Sequence, residues 1–257
     1  MASQKAQASG LWQPAPRKLV LSDDEVHVWR AYLLQTGSMM DRFCDVLAED
    51  EVARSKRFRF DSDRQKFIVA RGVLRLILCR YIAAEPSQLR FTYGPYGKPV
   101  LLDKGEECSL RFNLSHSADL ALYAISDKRE VGIDVESLNS NIAPQGIARR
   151  FFSSREAGEI CGLPPERQRE AFFHCWTRKE AYVKARGEGL SFPLDRFEVP
   201  LASGTSVTLL REIRELESAS IWSLYQVPAA RGYSAALVVE GGRCGLRFWE
   251  CFTGEGL

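Results

Sequence analysis

The chain has 257 residues, long enough for one large domain or two half-sized ones, and its composition, 45% hydrophobic and 26% charged, is ordinary for a globular protein. The net charge of +2 gives no basic excess that argues for nucleic acid, and no apolar run approaches the length of a membrane span. The seven cysteines lie singly, without a C-x-x-C pair, which favours free thiols in a cytoplasmic protein over a disulfide framework.

The first part of the chain is predicted to hold a tail, a strand and a long helix. Residues 1–20 lack an acidic residue and an apolar h-region, so we predict a flexible tail rather than a secretory signal. Residues 25–33 are rich in β-branched and aromatic residues, which predicts the opening strand. The charged segment 46–59 is compatible with a helix, and Asp61-Ser-Asp63 is predicted as the turn before the main helix at 64–82.

Polar and basic side chains accompany the elements that follow. Arg71 and Arg75 lie one helical turn apart and are interpreted either as a phosphate-facing pair or as part of a solvated face. Residues 94–99 are predicted as a turn that displays Lys98 on an exposed loop. Ser115-His116-Ser117 is predicted to stop a strand. The strands predicted around these turns cover residues 89–93, 110–114 and 120–125.

The second part opens with the predicted strand Val131-Gly-Ile-Asp-Val-Glu136, followed by a basic and aromatic helical turn at 147–152. Ser153-x-x-Glu156 is a capping box that starts a short helix. Two prolines then open a long helix at 166–185, which ends at glycines suited to a C-cap. Gly241-Gly242 is predicted as a hairpin turn before the last strand. The remaining strands are predicted at 197–199, 207–210, 221–227, 233–239 and 245–251.

Each part thus offers an opening strand, one long helix and a run of strands, which is typical of a duplicated α+β unit. No residue-level repeat supports the duplication. We predict an α+β fold of two similar α/β halves with a site in the cleft between them. The N-terminal half would cover residues 21–126 and the C-terminal half residues 127–257.

Two carboxylates on the acidic strand predict a cation site. Side chains of a strand alternate between its faces, so Asp134 and Glu136 project together while Ile133 and Val135 face a core. Paired carboxylates repel unless a positive charge lies between them, and Mg²⁺ prefers carboxylates, waters and phosphate oxygens. On the long helix, Glu180 and Lys184 lie one turn apart and could serve the same site. Solvated acids at a strand rim remain the alternative.

The pair Ser115-His116 invites a hydrolase interpretation, which we do not favour. Adjacent residues of an extended chain point apart, and no glycines flank the serine as in a nucleophile elbow. Side chains or backbone N–H groups of this segment are better suited to bind phosphate oxygens.

Together these motifs carry a family resemblance. Gly132-Ile-Asp-Val-Glu136, followed by Trp176-x-x-Lys179-Glu180-Ala-x-x-Lys184, resembles the paired signature of the 4′-phosphopantetheinyl transferases of the larger, surfactin-synthetase-activating type. Gly97-Lys98-Pro99 and Asn113-Leu-Ser-His-Ser117 resemble two upstream motifs of that family, in the same order. The resemblance covers roughly residues 25–239.

The resemblance implies a monomer with pseudo-twofold halves and coenzyme A bound in the cleft between them. It also implies that Mg²⁺ would be bound by Asp134, Glu136 and Glu180. Phosphate oxygens would be contacted by His116 and Lys184, and the nucleotide side would be lined by Ser115 and Lys98. The residues implied near the 3′-phosphate are Arg54, Lys66 and Arg71.

The implied activity is transfer of the 4′-phosphopantetheine arm of coenzyme A to a serine hydroxyl of an apo carrier protein, releasing adenosine 3′,5′-bisphosphate. Glu180 would be the base, acting directly or through a metal-bound water. Carriers present an acidic helix, so Arg149, Arg150 and Phe151 are predicted to dock it, although the aromatic pair at 151–152 could instead pack inward. A Mg²⁺-dependent phosphodiesterase and a non-catalytic binder of coenzyme A or carrier protein remain rival hypotheses. Carriers of the fatty-acid, polyketide, nonribosomal-peptide and lysine pathways all stay open as substrates.

Overall fold

The structure is a computed structural model that describes residues 11–103, 105–140, 142–201, 208–210 and 221–251. The α-helices are α1 Ser38–Asp45, α2 Glu49–Ser55, α3 Asp61–Leu78, α4 Pro144–Phe151, α5 Ser154–Gly162 and α6 Pro165–Arg186. Short 3₁₀ turns cover Pro86–Gln88, Gly189–Ser191 and Leu194–Arg196. The strands are β1 Gln13–Pro14, β2 Glu25–Tyr32, β3 Arg90–Tyr93, β4 Pro99–Asp103, β5 Glu106–Glu107, β6 Leu110–Ser117, β7 Leu120–Asp127, β8 Val131–Ser137, β9 Thr208–Leu210, β10 Trp222–Gln226, β11 Tyr233–Glu240 and β12 Gly245–Glu250.

Two larger sheets organise these strands. The first has the order β1-β12-β2-β7-β6 and the second the order β8-β11-β10-β9. A small antiparallel sheet, β3-β4-β5, carries the turn between β3 and β4. None of the helices within the described ranges combines the length and the apolar character needed to cross a membrane.

The two larger sheets repeat one topological unit. In the first half, β2 leads through α3 to the hairpin β6–β7, and β7 lies between β2 and β6. In the second half, β8 leads through α6 to the hairpin β10–β11, and β11 lies between β8 and β10. The predicted α+β fold of two similar halves is therefore confirmed, because strand, long helix and hairpin recur in the same spatial order.

Buried apolar side chains of the described residues form three clusters. One lies between α3 and the first sheet and includes Trp29 and Leu74. A second lies between α6 and the second sheet. The third contains Val28 and Leu122 of the first sheet together with Ile133 and Leu237 of the second. The layers therefore run helix, sheet, sheet, helix, and burial between the sheets joins the halves.

Gly132 sets how closely α6 approaches β8. A Cβ at this position would lie 2.1 Å from the carbonyl oxygen of Ala181 and 2.3 Å from the amide nitrogen of Ala185. Both atoms belong to the helix backbone, so no side-chain movement could relieve the clash. Glycine thus lets the acidic strand lie directly against α6, which brings the acids of both elements to one place.

The last strand corrects the predicted hairpin at Gly241-Gly242. Instead of pairing with β11, β12 leaves the second half and lies parallel to β2 on one side and to β1 on the other. The predicted C-terminal half, residues 127–257, therefore contributes a strand to the other half's sheet. The predicted tail over 1–20 is also wrong for its described residues, because Trp12 is buried and β1 pairs with β12; residues 1–10 lie outside the described part of the chain.

Several predicted boundaries shift. The Asp61-Ser-Asp63 segment is the first turn of α3, which ends at Leu78. The segment 46–59 holds only the short helix α2. Residues 197–199 follow a 3₁₀ turn and form no strand. The predicted strand 207–210 is β9, although Val207 lies outside the described residues.

Candidate active site

The edges of the two larger sheets meet along a seam between β6 and β8. Asn113, Ser115 and Ser117 share one face of β6, and their side chains bond to the backbone of β8. The amides of Ile133, Val135 and Ser137 donate to Asn113 Oδ1, Ser115 Oγ and Ser117 Oγ at 2.9, 3.4 and 3.0 Å. Side chains of one half thus satisfy edge amides of the other. The predicted end of the strand at Ser115 was wrong, because β6 continues through Ser117.

The same serines hold the acids of β8. Ser115 Oγ donates to Asp134 Oδ1 at 2.8 Å, and Ser117 Oγ donates to Glu136 Oε2 at 2.8 Å. From α6, Lys184 Nζ donates to Asp134 Oδ1 at 2.6 Å and to Ser115 Oγ at 2.9 Å. Asp134 is only 2% exposed, so this charge-assisted network lies at the buried base of the seam.

Glu180 adds a third carboxylate from α6. Burial raises its pKa to about 7, and repulsion from Asp134 adds to the shift, while Lys184 opposes it. Burial and Asp134 also raise the pKa of Glu136. The three acids therefore interact through space, as the sequence predicted, and their repulsion is only partly offset by Lys184.

The carboxylate oxygens of these three acids fit a magnesium site in which further ligands come from a bound phosphate or water. Within the described residues, no group of three His, Cys, Asp or Glu side chains is arranged to hold a metal ion by itself. Mg²⁺, however, commonly takes one or two carboxylates together with waters and phosphate oxygens. Asp134 Oδ2 and Glu180 Oε1 are buried oxygens that find no hydrogen-bond partner in the described part of the chain. Such orphaned anionic oxygens are what a cation would pair with.

The raised pKa of Glu180 predicts a pH-dependent stability of the metal-free protein. Because the folded-state pKa is about 7 against a reference of 4.5, the folded form binds this proton more tightly. The stabilisation is complete below pH 4.5 and is lost as pH rises through 7. Urea unfolding in chelator should show the free-energy difference between wild type and Glu180→Gln changing by about 3 kcal/mol over this range. Parallel pH profiles for the two proteins would contradict the assignment.

A pocket of about 200 Å³ lies beside the seam at β6, and His116 lines it together with Arg54, Arg71 and Tyr93. Adjacent strand residues point apart, so His116 and Ser115 face different sides, which disfavours the serine-hydrolase interpretation. Desolvation lowers the pKa of the His116 imidazole, and the charges of Lys184 and Lys66 lower it further. An anion bound here would meet several cationic side chains.

The basic residues around this pocket differ in their availability. Arg71 donates to Glu51 through Nε at 2.5 Å, whereas its Nη2 is buried and has no hydrogen-bond partner among the described residues. Arg54 lines the pocket and an adjoining groove of about 730 Å³. Lys66 forms an ion pair with Asp119 at 3.0 Å. Arg75 is buried against Glu51 and Pro86, so both interpretations of Arg75, phosphate-facing and solvated, were wrong.

The structure corrects the exposed position predicted for Lys98. Its side chain is only 14% exposed, and its ammonium group binds Glu130 and two backbone carbonyls rather than projecting from the loop.

A further lysine of the helix motif, Lys179, was not assigned a role from the sequence. Its side chain is fully buried and its ammonium contacts Glu156 Oε2 at 2.8 Å. It also donates to the carbonyls of Leu194 and Phe197 at 2.7 and 2.6 Å. Glu156 in turn forms the confirmed capping box with Ser153. Lys179 thus ties α6 to α5 and to the chain that follows α6; its position beside Glu180 in the motif was the available signal.

The surface of α4 carries the predicted docking residues. Arg149, Arg150 and Phe151 are exposed, and the Arg150 guanidinium lies 5.1 Å from the centroid of the Phe151 ring. Phe152 instead packs on Phe172 and Trp176. The aromatic pair is therefore divided, since Phe151 faces solvent and Phe152 faces the core.

Comparison with known proteins agrees with this arrangement. Residues 130–238 match the 4′-phosphopantetheinyl transferase superfamily, and residues 35–128 match the N-terminal family of 4′-phosphopantetheinyl transferases. The 4′-phosphopantetheinyl transferase HetI of Nostoc sp. is 40% identical over 93% of this chain and 98% of its own length. The 4′-phosphopantetheinyl transferase Sfp of Bacillus subtilis is 29% identical over 77% of this chain and 84% of its own. The holo-[acyl-carrier-protein] synthase structure from Thermotoga maritima aligns with a TM-score of 0.34 at 23% identity, covering 44% of this chain and 64% of that one.

The fold has two paired halves with an ionic cluster at their seam, and known transferases match nearly the whole chain. Together these findings define an enzyme of the transferase class. The chain belongs to the 4′-phosphopantetheinyl transferase family, and its resemblance to Sfp places it with the larger members. The family and activity predicted from the four motifs are confirmed. The comparisons give no support to the phosphodiesterase or the non-catalytic binder.

Proposed function

We propose that this enzyme moves the 4′-phosphopantetheine arm of coenzyme A onto a serine hydroxyl of an apo carrier protein. The observation that carries the assignment of the site is the junction of Ser115, Asp134, Lys184 and Glu180, which brings groups from both halves to one seam. We further propose that the active unit is a cytoplasmic monomer, because one chain supplies both sides of the seam and its seven cysteines are free thiols.

Coenzyme A would lie across the β6–β8 seam. Its diphosphate would be bound by Lys184 and His116, and Ser115 would border the nucleotide. Arg54, Lys66 and Arg71 surround or adjoin the pocket that would receive the 3′-phosphate, and the unpartnered Arg71 Nη2 supports this assignment. Cationic and N–H donors fixed before substrate arrives stabilise developing phosphate charge without reorganisation.

Asp134, Glu136 and Glu180 would hold Mg²⁺. When bound, Mg²⁺ would neutralise and orient the diphosphate as its bond to the departing adenosine 3′,5′-bisphosphate breaks. Lys184 would offset charge on the leaving oxygen. The proton of the carrier serine would pass to Glu180, the carboxylate that α6 brings beside Asp134 and Lys184.

Incubation with coenzyme A, Mg²⁺ and an apo carrier protein tests the reaction. Mass spectrometry should show the carrier gaining one phosphopantetheine, with adenosine 3′,5′-bisphosphate as the second product. Free phosphopantetheine with an unmodified carrier would establish hydrolysis instead. A panel of carriers from the fatty-acid, polyketide, nonribosomal-peptide and lysine pathways then identifies the substrate by its rate of modification.

The basic face of α4 is proposed to bind the acidic helix of the carrier. Replacing Arg149 and Arg150 together by glutamate should raise the KM for the carrier about 10-fold or more, because like charges would face each other. The KM for coenzyme A should not change. Arg243→Glu is a control for charge reversal at another surface position, since Arg243 is exposed in the turn that follows β11. Equal effects of the two charge reversals would refute a docking role for α4.

A further inference from the structure

Lys98 reaches across the seam to the end of helix α6. It lies in the turn between β3 and β4, in the first half, whereas all three of its acceptors belong to the second half. Lys98 Nζ donates to the carbonyl of Ala185 at 2.7 Å and to that of Val131 at 3.2 Å. It also donates to Glu130 Oε2 at 2.6 Å, and Glu130 Oε1 is held in turn by Arg111 Nε at 2.9 Å.

These contacts saturate the ammonium group. A lysine has three N–H donors and Lys98 has three acceptors, so no donor remains for a nucleotide phosphate without breaking one of these bonds. Burial lowers the pKa of Lys98, while Glu130 raises it. Desolvating an ammonium group is costly, and the contacts that offset this cost are internal to the protein.

The position of the acceptors matters for the site. The carbonyl of Ala185 belongs to the last turn of α6, where carbonyls lack intrahelical partners and the helix dipole favours a cation. Ala185 follows Lys184 directly, and Val131 stands three residues before Asp134. The stem of Lys98 also lies against Gly187, where a Cβ would come within 3.1 Å of Lys98 Cδ. Lys98 therefore joins the helix end to the strand start, at the place where Gly132 brings them into contact.

We propose that Lys98 is a positioning residue that clamps the C-terminal end of α6 to the start of β8, and so holds Lys184 and Glu180 in register with Asp134 and Glu136. The inference rests on the proposed function, and it removes Lys98 from the nucleotide-binding residues implied by the family resemblance. Lys98 acts through the backbone of α6 and touches no reacting atom.

Steady-state kinetics of Lys98→Met test the clamp. A misplacement of catalytic groups by less than 1 Å lowers the rate of the chemical step, so kcat per folded molecule should fall about 10- to 100-fold. The KM for coenzyme A and the Kd for adenosine 3′,5′-bisphosphate should stay within about 3-fold of wild type. The opposite pattern, a raised KM and Kd with kcat preserved, would show that Lys98 binds the nucleotide and would overturn the proposal.

Glu130→Gln provides a second variant that keeps the lysine. If Glu130 acts only by holding Lys98, its replacement should lower kcat in the same direction but less, and the double variant should be no slower than Lys98→Met alone. Independent, additive losses would refute the clamp, as would an unchanged kcat in both single variants. Failure of the proposed function is recognised separately, because wild-type protein would then transfer no phosphopantetheine.

Discussion

Replacing Glu180 by glutamine is expected to abolish phosphopantetheine transfer, with kcat reduced about 1000-fold or more. Glutamine keeps the size of the side chain, but it can neither accept the serine proton nor supply an anionic ligand to Mg²⁺. The measurement is the rate of carrier modification by mass spectrometry. Circular dichroism should show an intact fold, since removing one of three mutually repelling carboxylates relieves repulsion.

The matched control is Glu170→Gln, in the same helix. Glu170 is exposed and lies beside His174, away from the acidic cluster, so this variant should retain the wild-type rate. A Glu180→Gln enzyme that transfers at the wild-type rate would contradict both roles assigned to Glu180.

Replacing Lys179 by methionine is expected to lower the free energy of unfolding by about 3–5 kcal/mol. Glu156, 2% exposed, would lose its buried counter-ion, and the carbonyls of Leu194 and Phe197 would lose a donor. Urea denaturation measures the effect. Kinetics of the molecules that remain folded should change little, because Lys179 faces α5 rather than the seam.

Two comparisons isolate this structural role. Lys184→Met, five residues further along α6, should instead remove activity, because Lys184 binds Asp134 at the seam. Adding Glu156→Gln to Lys179→Met should recover part of the lost stability, since the uncompensated charge is then absent. If the losses in the double variant simply add, the buried ion pair is not the source of the effect.

The sequence correctly predicted the elements that are determined by residues close together in the chain. The capping box at Ser153, the helix of the Trp176 motif and its glycine end were all read correctly, and Gly187 adopts the left-handed conformation with a φ of 71°. The Gly241-Gly242 hairpin failed because β12 pairs with β2, more than 200 residues earlier, and tertiary pairing overrode a turn signal. The predicted stop at Ser115 failed for a similar reason, since the polar side chains that suggested a turn bind the edge of β8.

The acids of the site were predictable because strand alternation and helix spacing fix which side chains share a face. Their position at the seam also followed from the repeated order of elements. The roles of Lys98 and Lys179 were not predictable in the same way. Each binds backbone carbonyls of other chain segments. Because every residue has a backbone carbonyl, the residue types in a sequence do not show which carbonyls act as acceptors.

The crossing of β12 into the first sheet has a consequence for how the protein is made. During synthesis, the edge of β2 that pairs with β12 stays unpaired until residue 245 has left the ribosome. The other edge of β2 can pair with β7 much earlier. Closing such a distant pairing is slow, and an open strand edge attracts foreign strands meanwhile. The nascent enzyme is therefore prone to aggregate until β12 has been translated and can pair with β2.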